Sequence, residues 1–124
     1  MTRFIELEDA LFVVQKLGFN VKDTGLLDSS LSRPKTELFG EAAYGSFELK
    51  AAAMAHSLIK NHALVDGNKR LTWTLLVSFL AINDLKHDMS TDEAFDLVIG
   101  LATDAYAIQQ AAEIIKRHIV DWAS

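Results

Sequence analysis

From Leu71 to Asn83 the chain runs 13 residues without a charge, and Leu71, Trp73, Leu75, Leu76, Val77, Phe79, Leu80 and Ile82 leave almost no side of a helix polar. A helix that is apolar all round is stable only when neighbours cover it. The pattern, which predicts a helix over about Asn68 to Asn83, therefore demands a shell of other elements from the rest of the chain. The stretch is too short to cross a bilayer, so the expectation is a protein without a membrane partner.

The rest of the sequence can supply that shell. Leu7, Ala10, Leu11, Val14 and Leu17 recur at spacings of three and four, with Gly18 placed to stop the helix. Gly25 to Leu31 reads as one short helix before Pro34, and Lys35 to Gly45 as a flap or short hairpin. Ser46 is a plausible N-cap for a helix whose stripe is Phe47, Ala51, Met54, Ala55, Leu58 and Ile59. Thr91 is read as the cap of a helix opening on Asp92 and Glu93, and a last helix is expected over about Ala107 to Trp122. The predicted fold is all-α: a bundle of about six helices around a central apolar helix, with one short β flap allowed between the halves.

Composition narrows the function. At 124 residues the expectation is one domain over residues 1–124. Twelve Lys+Arg against 17 Asp+Glu give a net charge of -5, which argues against direct nucleic-acid binding over a broad face. The chain has no cysteine, so thiolate metal sites, disulfide scaffolds and cysteine nucleophiles are excluded. The opening M-T-R-F-I-E-L-E-D lacks the basic start and apolar run of a signal peptide, so a cytoplasmic location is expected.

The chemistry is concentrated in Asn61 to Trp73, N-H-A-L-V-D-G-N-K-R-L-T-W, between the two best-predicted helices. Lys69 and Arg70 fall in the first turn of the second helix, where the dipole disfavours cations by about 0.3–1 kcal/mol each. Two cations become sensible there if an anion shares the place, held by free backbone N–H groups and both side chains. Gly67 lets the backbone approach closely, and the Asn68 amide adds a donor. His62 can accept a proton near neutral pH, and Asp66 is a hard oxygen ligand suited to Mg²⁺ on phosphate oxygens. A base, a metal carboxylate and an anion clamp together point to phosphoryl or nucleotidyl transfer.

The run His62-Ala63-Leu64-Val65-Asp66-Gly67-Asn68-Lys69-Arg70 resembles the signature of Fic proteins, H-P-F-x-[DE]-G-N-[GK]-R, and more closely that of the Doc (death-on-curing toxin) branch. The likeness extends through Gly25-Leu26-Leu27, Ser32-Arg33-Pro34, Ala51-Ala52-Ala53 and Lys60-Asn61 to about Asn83, about half the chain. The resemblance implies a small helical domain that moves part of ATP onto a protein hydroxyl. It implies catalytic roles for His62, Lys69 and Arg70, with His62 as general base. Asp66 would be the Mg²⁺ ligand, and Gly67, Asn68, Lys69 and Arg70 would hold the nucleotide phosphates. Most Fic enzymes attach AMP, with glycine at the place of Lys69 and a second arginine where this chain has Trp73. Doc-like members share the lysine and lack the second arginine. The resemblance thus implies a toxin that is a Doc-type protein Ser/Thr kinase, using ATP and Mg²⁺ to modify a translation factor similar to elongation factor Tu and so inhibit translation. Fic-type AMP transfer is the alternative. The inhibitory pattern [ST]-x-x-x-E-[GN] is absent from the chain, so inhibition in trans by a prevents-host-death-like antitoxin is expected. Ala63 and Leu64 depart from the usual proline and phenylalanine, which predicts a looser loop with Leu64 as a smaller plug.

Other residues have plainer readings. Trp73 fills core or packs against a base; His56 and His118 are structural or solvated; Lys60 is solvated; Arg33 holds phosphate or antitoxin, or lies at the surface. A different chemistry is conceivable at His87-Asp88, since metal-dependent HD phosphohydrolases use such a pair, with His56 or His62 and Asp104 as partners. A module that binds nucleotide without turnover is the non-enzymatic alternative.

Overall fold

The computed structural model describes residues 1–123 and is built from six helices and two small antiparallel sheets. Helix α1 (Leu7–Leu17) opens on Glu6, whose N–H is accepted by Asp9 at 3.4 Å, and stops at Gly18 in the left-handed region (φ 79°). The N–H groups of Gly18 and Phe19 return to the carbonyls of Gln15 and Val14, the paired bonds of a Schellman stop. Asp23 caps α2 (Thr24–Ser32), accepting from the Leu26 N–H at 3.0 Å, and a 3₁₀ turn (Arg33–Lys35) follows around Pro34.

The predicted flap is present. Strands β1 (Glu37–Leu38) and β2 (Glu41–Ala42) pair antiparallel across a tight turn at Phe39 and Gly40, both at positive φ. Ser46 then caps α3 (Phe47–Asn61), accepting from the Leu49 N–H at 3.2 Å.

A central apolar helix exists, but α3 takes that place more fully than α4 (Asn68–Ile82). Helix α3 packs against α2, the 3₁₀ turn, α4, α5 (Thr91–Ala102) and α6 (Ile108–His118), and Ala51 to Ala55 are all buried. Small side chains let neighbours close in from several sides; the bulkier α4 leaves Trp73, Thr74, Val77 and Ser78 half-buried. Phe79 of α4 stacks between Phe4 and Phe47, at centroid distances of 6.1 and 4.9 Å, and is fully buried.

Two boundaries differ from the sequence reading. The cap of α5 is Ser90 rather than Thr91: its hydroxyl accepts from the Glu93 N–H while Glu93 accepts from the Ser90 N–H, a closed capping box. Those bonds hold the Glu93 carboxyl below its usual range. The last helix ends at His118, not near Trp122, because Ile119–Asp121 forms strand β4 against β3 (Leu85–His87). Ile119 and Val120 are β-branched and take the extended conformation that pairing rewards. Among the described residues no helix is long and apolar enough to cross a membrane.

Candidate functional site

The link between α3 and α4 is a six-residue loop, 62–67, both of whose ends are left-handed: His62 at φ 50° and Gly67 at φ 90°. At His62 this conformation ends α3 while leaving the side chain exposed. At Gly67 it is required twice over. A Cβ there would meet the Phe19 ring at 2.5 Å, and an L side chain disfavours the dihedral. Gly67 thus admits Phe19, a residue of the α1–α2 connection, where the sequence reading had it admitting an anion.

The loop is held by hydrogen bonds rather than by the proline and aromatic ring it lacks. Its Ala63 carbonyl accepts from the N–H groups of Lys22 and Asp23, at 2.8 and 3.1 Å, and its Val65 N–H donates to the Asn20 carbonyl at 3.1 Å. Val21 and Leu64 form an isolated bridge, and Leu64 fills the predicted gap at 1% exposure. The Asn68 side chain, expected to donate to an anion, instead accepts from the Leu64 N–H and donates to the Leu64 carbonyl, at 3.0 and 3.1 Å. What Asn68 leaves available is its backbone.

Helix α4 opens with no side-chain cap and no acid in its first turn, unlike α5. Among the described residues no group accepts from the backbone N–H of Asn68, Lys69 or Arg70. These orphan donors and the two exposed cations face one cavity of about 600 Å³, lined also by His62, Asp66 and Gly67. The structure therefore gathers every residue singled out as catalytic, nucleotide-holding or metal-binding around a single space. Asp66 is exposed and its Oδ1 accepts from the Gly67 N–H at 2.8 Å; among the described residues its second oxygen has no hydrogen-bond partner. A lone hard carboxylate beside a phosphate-sized cavity fits Mg²⁺, which takes one or two carboxylates and completes its shell from phosphate and water. It does not fit an all-protein cage, and no cluster of three ligating side chains occurs among the described residues.

Lys60 also lines this cavity, tied to Asp104 at 2.9 Å and to the Ala102 carbonyl at 3.4 Å rather than freely solvated. Arg33 does not line this cavity. Its guanidinium donates to Tyr44, His56 and Ser57 at 2.8–2.9 Å, fastening the hairpin's base to α3. His56, the acceptor, is held neutral, its pKa lowered by burial first and the Arg33 charge second. The sequence carried no signal for Phe19 or Asn20, which follow the stop of α1 and reach the loop only through folding.

The His87-Asp88 pair does not assemble a metal site. His87 accepts from the Met89 N–H at 3.0 Å and meets Trp73 edge-on at 4.9 Å, while Asp88 binds His118 at 2.7 Å. His118 turns its other nitrogen to Glu93 at 3.1 Å, which makes it a structural link.

A histidine, a carboxylate and two cations converge at the uncapped start of a helix, on a small helical scaffold. Residues 3–80 match the Fic/DOC family, so the chain belongs to that family, on its Doc branch. It is 42% identical over 109 residues to the Toxin Doc of Mycolicibacterium smegmatis, an alignment covering 83% of each chain.

Proposed function

We propose that this protein is the toxin of a toxin–antitoxin pair and transfers the terminal phosphate of ATP to a hydroxyl of a translation factor similar to elongation factor Tu. The observation that carries the reading is the shared cavity of His62, Asp66, Lys69 and Arg70 at the uncapped start of α4. The similarity to a protein named Toxin Doc supports the toxin assignment and, with it, an antitoxin as partner; that this antitoxin is of the prevents-host-death kind rests on the motif resemblance.

Lys69, Arg70 and the orphan N–H groups of α4 neutralise the phosphate oxygens and orient the chain of phosphates along the loop. A ring nitrogen of His62 takes the proton of the target hydroxyl as its oxygen bonds to the γ-phosphorus. The bond from that phosphorus to the β-bridging oxygen breaks, and ADP leaves with the electron pair. Mg²⁺ held by Asp66 would offset charge on the phosphate oxygens during transfer. Catalysis is then positioning and charge neutralisation, the work this cavity's residue set suits.

Transfer of AMP, with pyrophosphate leaving, is the second reading. Lys69 favours the first, because a cation beside Arg70 adds charge where a nucleotide's terminal phosphate needs it and narrows the space that glycine would leave. Incubating the protein and its target with ATP labelled at the γ or the α position separates them. Label from γ-ATP alone is expected on the target; retention of α label would establish AMP transfer instead. In Lys69→Gly, AMP transfer should appear at the expense of phosphate transfer, and an unchanged product would remove the lysine from any role in orientation.

A further inference from the structure

A smaller cavity, of about 270 Å³, lies where α2, the 3₁₀ turn and α3 meet, and it shares no lining residue with the cavity of His62. Ser29, Ser32, Arg33, Thr36 and Ser57 line it, so it presents four hydroxyls and one guanidinium, with no acid and no apolar side chain. Arg33 is half-buried there and has only neutral partners. Its Nε donates to the Tyr44 hydroxyl and its Nη1 to His56 and Ser57, which leaves both N–H groups of Nη2 without an acceptor among the described residues. Among those residues no carboxylate lies within ion-pair distance of it either. In a chain with 17 acids to draw on, a half-buried cation without a counter-ion is placed to take one from outside. Ser57 is only 7% exposed, and its oxygen already accepts from Arg33. Its own proton has no acceptor among the described residues and is free for an occupant.

We propose that this cavity is a separate oxyanion site for one phosphate-sized group, with Nη2 of Arg33 supplying the charge and Ser29, Ser32 and Ser57 the hydroxyl donors. The proposal does not depend on what the cavity of His62 holds. Guanidinium and hydroxyl donors around a space without acids match the acceptor-only surface of a phosphoryl group. The volume falls just under the range of small-molecule sites, which admits a single tetrahedral anion and leaves no room for a nucleotide. Thr36 plays a lesser part, because its hydroxyl already donates to the Arg33 carbonyl at 2.7 Å. The group recognised is a phosphoryl, whether free in solution or carried on a protein side chain.

The test follows backbone amide shifts of the full chain by two-dimensional NMR while inorganic phosphate replaces chloride at constant ionic strength. The amides of Ser29, Ser32, Thr36 and Ser57 should move together and saturate, with a midpoint of about 1 mM or tighter for a charge-assisted site. Ser32→Asp sets a negative charge at the rim on an exposed side chain, and should weaken binding about ten-fold or more. Arg33→Gln should abolish it. N-acetyl-phosphoserine amide separates the sources: tighter binding than phosphate assigns the site to a phosphorylated protein side chain, and equal binding to the free ion. His56 gives a second readout. Burial first, then the charges of Arg33 and Lys60, lower its pKa, with Asp104 opposing. An anion on Arg33 offsets the first of those charges, so the His56 titration midpoint should rise in sulfate, whose charge is constant near neutral pH. Shifts that do not saturate, that are confined to Gly67 to Arg70, or that persist unaltered in both variants overturn the oxyanion site. Each of those results leaves the reading of the His62 cavity standing, since labelled ATP tests that one by itself.

Discussion

Asn68 closes its side-chain amide on both backbone groups of Leu64, accepting at 3.0 Å and donating at 3.1 Å. The first residue of α4 thereby holds the middle of the loop that precedes it, between His62 and the Lys69–Arg70 pair that line the same cavity.

Removing that clasp should loosen the site and the fold together. Leu64 is 1% exposed, so in Asn68→Ala its N–H loses its acceptor away from water. We expect a loss of about 1–3 kcal/mol, read as a lower denaturant midpoint at unchanged slope. Asn68→Asp keeps the acceptor and loses the donor, and should fall between. A midpoint equal to wild type in Asn68→Ala would show that the loop does not depend on the clasp.

Gly67 and Phe19 form a second pair with a measurable coupling. Gly67→Ala places a Cβ 2.5 Å from the Phe19 ring and puts an L side chain at φ 90°. Destabilisation of about 2 kcal/mol or more is expected from clash and dihedral strain combined. Phe19→Leu in the same chain should recover the part due to the clash but not the part due to φ. Strict additivity of the two substitutions would mean that the ring and the glycine do not compete for one space.

His62 should separate activity from stability. His62→Ala is expected to lose transfer by at least about 100-fold, the range of a general base, with thermal unfolding close to wild type because the side chain is exposed. His62→Gly should lose transfer equally and gain as much as about 1 kcal/mol, since glycine occupies φ 50° without strain. Transfer retained in both variants would place the base elsewhere.

A pH dependence of stability follows from His56. Burial and Arg33 lower its folded pKa below the ordinary 6.5, and its Nδ1 must stay deprotonated to accept from Arg33. The unfolded chain therefore binds more protons than the folded one as the pH falls. The stability His56 contributes is fully present above about pH 6.5, declines as pH drops towards the lowered folded value, and levels off below it. Denaturation of wild type and His56→Gln across that window checks this: the difference between them should shrink on acidification, and a constant difference would show His56 not to be held neutral.

Much of this was legible residue by residue. Gly18 and Ser46 mark helix limits through bonds to groups three to five positions away, and the loop's His62, Asp66, Lys69 and Arg70 stood out because cations are misplaced at a helix start. Thr91 was misread because Ser90 beside it offers the same hydroxyl, and only the reciprocal bonds with Glu93 distinguish the two. The last helix was read too long because its apolar stripe continues through Ile119, and nothing local announces that β3 is waiting to pair. Asn68 was given to an anion because its amide serves either purpose.

The amino-acid order alone set where the six helices lie, most of their limits and the chemical content of the 62–70 segment, since those depend on interactions within a turn or two of the chain; the end of α6 at His118, set by pairing with β3, is the exception. Folding in three dimensions decided what distant residues do for them. It brought Phe19 and Asn20 under the loop, enclosed α3 more fully than α4, tied Lys60 to Asp104, and set α5 opposite Trp73. Such contacts join positions tens of residues apart, and their register comes from how side chains of particular volume fill space, a quantity that no local pattern encodes.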